Sequence, residues 1–246
     1  MWPLSIAQLL FRHPTLQSLT LHFASSQGGT GILNDIPSAS TRLEELNLLS
    51  CNISPESLTT LLRLPQRLKR LTLGTPLGYS SWDRGSSSTQ YITAMFPVYP
   101  TLECFRLIAA PALRTNWAQG PAMGLQNFIA LMYLEIASPS LLDPNEMFTS
   151  RMNFPVFIEG RLMLPPKLEV LKISPRARTY LLGKVLAEKA EVPSFRRLLL
   201  SMVGEEDVSE LRSCCQNVNI ELEVIHESVH VSFHGAPVWM IPEQIC

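Results

Sequence analysis

One hydrophobic pattern, Leu-x-x-Leu-x-Leu with close variants, recurs along the 246-residue chain and constrains its fold more than any single residue does. The clearest copy is Leu43, Leu46 and Leu48, followed by Cys51 and Ile53. Weaker copies are Leu16/Leu19/Leu21, Leu68/Leu71/Leu73, Leu102/Phe105/Leu107, Leu131/Leu134/Ile136, Leu168/Leu171/Ile173 and Phe195/Leu198/Leu200, with a degenerate eighth at Leu222/Val224. Recurrence of this kind indicates a stack of similar structural units.

The last two apolar residues of each copy lie two positions apart, so on a β-strand they share one face. The residue between them lies on the other face, which we expect to be free. Stacked copies are needed to bury the apolar face, with like strands side by side. The sequence therefore predicts an α/β solenoid, shaped like a horseshoe, in which about seven to eight short strands form a parallel concave sheet and helices form the convex layer.

Helix signals stand between the predicted strands. Ser54-Pro55-Glu56 supplies an N-cap, a first-turn proline and a first-turn acid, and Asp143 to Glu146 resembles a capping box. Further helices are predicted around 5–12, 88–96, 121–130, 179–190 and 204–215. The spacing between copies varies, which indicates insertions near 74–88, 108–120 and 153–166. We expect one solenoid domain over 1–225 and a C-terminal extension over 226–246, with a closing strand and a tail.

The charge balance indicates a protein partner. Lys plus Arg number 20 and Asp plus Glu 21, without a run of either sign, so the field that attracts nucleic acid or an anionic membrane is missing. No stretch approaches the roughly 20 apolar residues of a membrane span, and the N-terminus lacks the pattern of a signal peptide. We expect a monomeric, intracellular protein, cytoplasmic or nuclear, whose five cysteines are reduced.

The repeats resemble those of leucine-rich-repeat proteins of the ribonuclease-inhibitor-like kind. Their irregularity, the segment Arg12 to Leu19 and the closing Leu211 to Cys215 before Ile220 to Val224 resemble the repeat region of divergent fungal F-box proteins. In that family the repeats hold a substrate while the F-box joins a ubiquitin ligase. The resemblance implies substrate recognition in an adaptor of the SCF type, although no F-box is found in the chain.

Two other functions stay open at the level of sequence. One is a leucine-rich-repeat regulator of another enzyme, as in GTPase activators. Those proteins typically carry a strongly acidic tail, whereas the segment Val238 to Pro242 near the end of this chain is not acidic. The other is a fragment of a longer gene product without independent function, since residues 5–12 read as the helix of a preceding repeat. All three interpretations are non-catalytic.

A candidate binding surface lies on the concave face. Arg106, Glu135 and Lys172 occupy the position between the two inward residues of successive strands, and Tyr133 occupies the preceding outward position. Neighbouring strands lie about 4.8 Å apart, so the three charges are predicted to form an alternating ladder. Either the ladder grips a polar protein segment, or its charges only satisfy one another as exposed pairs.

A second candidate surface lies in the loops after the third and fourth strands, which should leave the same edge of the sheet. Trp, Tyr and Arg dominate the energetics of protein interfaces. Residues of these types in the two loops could therefore form one partner-binding patch. Alternatively, their aromatic rings fold back and cover exposed core beside the loops. The predicted patch consists of Tyr79, Trp82 and Arg84 in the first loop, and Arg114 and Trp117 in the second.

Other motifs are weak. The segment that contains His226, His230 and His234 alternates with apolar residues as a strand does. On a strand, successive histidines four residues apart would lie about 13 Å from each other, which is too far for them to bind one metal ion. Gly28 to Gly31 lacks the ending of a phosphate-binding loop. No catalytic set follows from spacing, so we expect no enzyme activity, cofactor or metal.

Overall fold

The structure, a computed structural model, describes residues 2–26, 35–74, 88–108, 125–137, 157–158, 161–162, 164–174, 189–202 and 208–226. Eight strands form one open sheet, in which each strand pairs in parallel with its neighbours in chain order. The strands are β1 (Ser18–His22), β2 (Glu45–Leu49), β3 (Arg70–Gly74), β4 (Cys104–Ile108), β5 (Tyr133–Ala137), β6 (Val170–Ser174), β7 (Arg197–Met202) and β8 (Glu221–His226). The predicted α/β class and parallel sheet are confirmed.

The strand register follows the leucine pattern. Leu46 pairs with Leu19 on one side and with Leu71 on the other, and the second apolar position of every copy continues this row up to the pair of Leu198 with Leu222. Alternation along each strand places this row on the core face. Leu46, Leu71 and Leu198 are buried accordingly, so the register read from the sequence is confirmed.

The described helices are fewer and shorter than expected. They are α1 (Gln8–Phe11), α2 (Pro55–Leu62), α3 (Ser88–Ala94) and α4 (Ser209–Asn217), and α1 follows a 3-10 turn at Leu4–Ala7. In α2 the Ser54 side chain accepts a hydrogen bond from the Ser57 N–H at 3.3 Å, which confirms the predicted cap. The cap-like segment at 143–146 lies outside the described residues.

The helix predicted over 121–130 is wrong in its described part, which contains a 3-10 turn at Leu125–Asn127. The Phe128 N–H donates to the Leu125 carbonyl and the Leu131 N–H donates to the Phe128 carbonyl, at 3.1 and 3.2 Å. These three residues are buried at a spacing of three, which matches the period of a 3-10 turn. The segment predicted over 179–190 is described only from 189, where a 3-10 turn spans Lys189–Glu191.

The core is continuous from one strand unit to the next. Phe11, Phe128 and Phe195 are fully buried within it. Phe128, which lies between β4 and β5, is 4.4 Å from Tyr99 and 6.4 Å from Phe105, measured between ring centroids, and so packs against the preceding unit. Burial of each such side chain contributes about 1.5–3 kcal/mol, so the stacking of units is the main source of stability.

Smaller elements complete the described structure. Trp2–Pro3 pairs in parallel with Ala24–Ser25, and Phe157–Ile158 pairs in antiparallel with Arg161–Leu162 inside the third predicted insertion. Strand β8 ends at His226, one residue beyond the predicted domain boundary, and the rest of the extension, with His230 and His234, lies outside the described residues. In the described ranges, no helix has the length and apolar character needed to cross a membrane.

Candidate functional site

The four candidate residues of the concave face lie together in the structure. Arg106 on β4 pairs in register with Glu135 on β5, which pairs with Lys172 on β6. Tyr133 lies two residues before Glu135 and therefore on the same face. This is the face opposite the core, called the second face below. The predicted alignment of the three charges is confirmed.

One carboxylate joins three strands of the second face. Arg106 Nε donates to Glu135 Oε2 at 2.7 Å, and Lys172 Nζ lies 2.9 Å from Glu135 Oε1. The Tyr133 hydroxyl donates to Glu135 Oε2 at 3.3 Å. Both carboxylate oxygens are thus occupied by donors, so Glu135 holds Arg106 and Lys172 in place. We call Arg106, Tyr133, Glu135 and Lys172 the Glu135 cluster.

The Glu135 cluster is buried, which corrects the expectation of a free face with exposed pairs. Glu135 is 4% exposed, Lys172 9% and Tyr133 9%, while the Arg106 side chain keeps 21% of its surface accessible. Interactions between charged groups this poorly exposed to solvent are screened far less than those of surface pairs. Loss of one partner from such a group costs several kcal/mol.

Burial and charge act in opposite directions on the ionisation of the Glu135 cluster. Burial raises the pKa of the Glu135 carboxyl, but the charges of Arg106 and Lys172 and their hydrogen bonds outweigh it, so this pKa lies below its ordinary value. Burial likewise lowers the pKa of Arg106, and the adjacent Glu135 carboxylate more than offsets it. Both groups are therefore charged at neutral pH.

An apolar cluster adjoins the Glu135 cluster on the second face. Cys104, Tyr133 and Leu199 are buried together, and Val170 and Ile225 pack against them. The sequence analysis assigned these outward positions to a free surface and missed their burial. The signal was present in the residue types, because four strands in succession carry Cys, Tyr, Val and Leu at outward positions where the first three strands carry polar residues.

A polar network covers the second face at β1 to β3. Asn47 Nδ2 donates to Thr20 Oγ1 at 3.2 Å and to Glu45 Oε1 at 2.9 Å. Arg70 donates to Glu45 Oε2 through Nε at 3.2 Å and through Nη2 at 3.1 Å. The sequence analysis did not single out this pair, although Glu45 and Arg70 fall opposite each other in the repeat register. Thr20 is exposed, so this end of the face is accessible.

The far end of the second face is also charged. Arg197 on β7 pairs through Nη2 with Glu223 on β8, and its Nε lies 3.6 Å from Glu221 Oε2. Charges of both signs thus lie at both ends of the second face, on either side of the apolar cluster.

The second predicted patch cannot be placed. Tyr79, Trp82, Arg84, Arg114 and Trp117 all lie outside the described residues, so their grouping stays a prediction. The strands that precede the two loops are neighbours, with Gly74 at the end of β3 paired to Ile108 at the end of β4. Both loops therefore begin at the same edge of the sheet, as the prediction requires.

The described side chains contain no group of three His, Cys, Asp or Glu that could hold a metal ion. Cys51 is buried with its thiol 3.3 Å from the Leu21 carbonyl oxygen, and burial raises its pKa to about 11, which suits a packing role.

No protein-family model, no curated protein and no solved structure matches the chain. What the chain does is therefore inferred from its own sequence and geometry.

Proposed function

We propose that the chain is a leucine-rich-repeat solenoid that binds another protein, without catalysis, through the second face of its sheet. The observation that carries this proposal is the sheet itself, in which eight parallel strands follow one another in chain order with the repeat leucines in register. Stacked repeats build such a sheet because each unit contacts only its neighbours. The product is an extended sheet whose second face is accessible at Thr20 on β1 and is largely buried from β4 to β7.

The size and rigidity of the second face support a protein partner. Eight strands spaced by about 4.8 Å span about 34 Å. Because the middle of this face is largely buried, a partner contacts its more accessible side chains, such as Thr20, Asn47 and Arg106. The polar side chains on this face are held by one another, as Asn47 is by Thr20 and Arg106 by Glu135. Preorganised groups lose little entropy on binding, which favours affinity.

The specific role that we propose is substrate recognition in an SCF-type ubiquitin-ligase adaptor. Its support is the resemblance of the repeat segments to the repeat region of divergent fungal F-box proteins. An F-box elsewhere in the gene product would then provide the link to the ligase. Affinity purification of the full-length gene product tests this role, and recovery of the ligase's adaptor subunit is expected. Recovery of a partner without any ligase subunit would contradict the ligase role while leaving protein binding intact.

The binding face is tested by two matched threonine variants. Thr20→Arg adds a long cationic side chain to the accessible end of the second face, and Thr93→Arg adds the same side chain to an exposed position of α3. We expect Thr20→Arg to abolish recovery of the partners that the unaltered chain captures, and Thr93→Arg to retain them. Equal recovery by both variants would show that partners bind elsewhere.

A further inference from the structure

We infer that the terminal amino groups of Arg106 bind a carboxylate of the partner, an inference that rests on the proposed function. A guanidinium carries five N–H donors. In Arg106 the Nε–H donates to Glu135, and the side chain makes no other hydrogen bond or ion pair with a described residue. The four remaining donors belong to the two terminal nitrogens, which form the edge that receives a carboxylate bidentately.

The other arginines of the second face differ in this respect. Arg70 uses both Nε and Nη2 on Glu45, and Arg197 uses Nη2 on Glu223. Their own glutamates therefore occupy the groups that a ligand would need. Arg106 also keeps 21% of its side chain accessible, whereas the Glu135 side chain that holds it keeps 6%. Among the described residues, Arg106 is thus held at Nε, and its side chain is partly accessible to solvent.

The neighbour of Arg106 on the other side is a hydroxyl. Thr72 on β3 pairs in register with Arg106, and it forms no side-chain hydrogen bond with the described residues. Thr72 is only 5% exposed, so a ligand would reach this position through the more accessible Arg106 side chain.

A carboxylate fits this position better than a phosphate group does. A phosphorylated side chain carries about −1.5 to −2 charges, and its recognition uses clusters of arginines. Here Glu45 already occupies Arg70, and the Glu135 carboxylate lies directly behind Arg106, where it would repel a dianion. A monoanion avoids most of that repulsion. The carboxylate belongs either to an Asp or Glu side chain or to a C-terminus.

Small probes and arginine side-chain NMR test the site without any macromolecular partner. The full chain labelled with ¹⁵N is titrated with N-acetylglutamate methylamide, which carries a side-chain carboxylate, and with N-acetylglycine, which carries a terminal one. N-acetylglutamine methylamide is the uncharged control. Arg106→Lys and Arg70→Lys identify the two Nε–H signals, and each keeps a cation beside its glutamate, so that folding is preserved.

We expect a saturable shift of the Arg106 Nε–H signal with at least one carboxylate, and none with the glutamine probe. The probe that saturates first identifies the source, a side chain or a C-terminus. The inference is overturned if neither carboxylate gives saturation, if the glutamine probe shifts the signal equally, or if the Arg70 signal shifts as much. None of these outcomes depends on whether a protein partner exists.

The same two variants connect the site to the proposed function. For a partner captured by the unaltered chain, Arg106→Lys should weaken binding about tenfold or more, because it removes the planar fork but not the charge. Arg70→Lys should change binding less than about twofold, the scale of an exposed pair. Equal weakening by both variants would refute the carboxylate site while leaving partner binding established.

Discussion

At the scale of single residues, Glu135 shows what repeat periodicity can and cannot predict. Its alignment with Arg106 and Lys172 follows from the repeat register alone, because residues at equivalent positions of neighbouring units must lie side by side. Its burial does not follow, since the periodicity fixes only which face a residue occupies and not what covers that face. The ion pairs of Glu135, which were expected to be exposed and to contribute little stability, therefore contain the least exposed charged side chain described on the sheet.

Replacement of Glu135 by glutamine should lower the free energy of unfolding by about 3 kcal/mol at pH 7, because Arg106 and Lys172 lose the carboxylate that offsets their burial. Glu223→Gln is the control, since the Glu223 side chain is 43% exposed beside Arg197 and its pair should contribute about 1 kcal/mol or less. Urea denaturation measures both. Equal losses would mean that burial of the Glu135 cluster does not decide its energetics.

The pH dependence gives this prediction a sign. The pKa of Glu135 in the folded chain lies below its ordinary value of 4.5, so its stabilising contribution is complete above that value and is lost as the pH falls through the folded pKa. The stability difference between the unaltered chain and Glu135→Gln should be constant from pH 7 to about 5 and should shrink below about 4. A difference that grows towards acid pH would contradict the assigned direction.

At the scale of elements, the strands were predictable and the helices only in part. A strand such as β2 is specified by alternation between Leu46, Asn47 and Leu48, and a shift of one residue would expose both leucines. The segment between strands has only to return the chain and bury an apolar side chain every third or fourth residue. Either an α-helix, as at Pro55–Leu62, or a 3-10 turn, as at Leu125–Asn127, satisfies that requirement.

The register of β2 is tested by adjacent alanine variants. Leu46→Ala should reduce the free energy of unfolding by about 2–5 kcal/mol, because Leu46 is fully buried between Leu19 and Leu71. Asn47→Ala removes two side-chain hydrogen bonds on the accessible part of the second face and should cost about 1 kcal/mol. Denaturant midpoints with unchanged slopes measure both effects. A larger loss for Asn47→Ala would place the strand in the opposite register.

At the scale of the whole molecule, the order of the strands implies that stability is local. Each strand of the sheet touches only its neighbours in the chain order, and the described contacts of β1 within the sheet are to β2 alone. In stacked repeats, total stability is close to a sum of unit and nearest-neighbour contributions. A terminal unit can therefore open while central ones stay closed.

Replacement of Trp2 by phenylalanine tests this locality. Trp2 lies at the end of β1, where its indole Nε1–H donates to the His22 carbonyl at 2.6 Å and its backbone N–H donates to the Phe23 carbonyl at 3.0 Å. Trp2→Phe removes the indole donor and part of the ring that packs against the core, so amide hydrogen exchange in Ser18–His22 should quicken by about two- to tenfold. Exchange in Tyr133–Ala137 should not change, because three strands separate β5 from β1. Uniform quickening across the sheet would instead show that the molecule opens as one cooperative unit, and the nearest-neighbour description of its stability would fail.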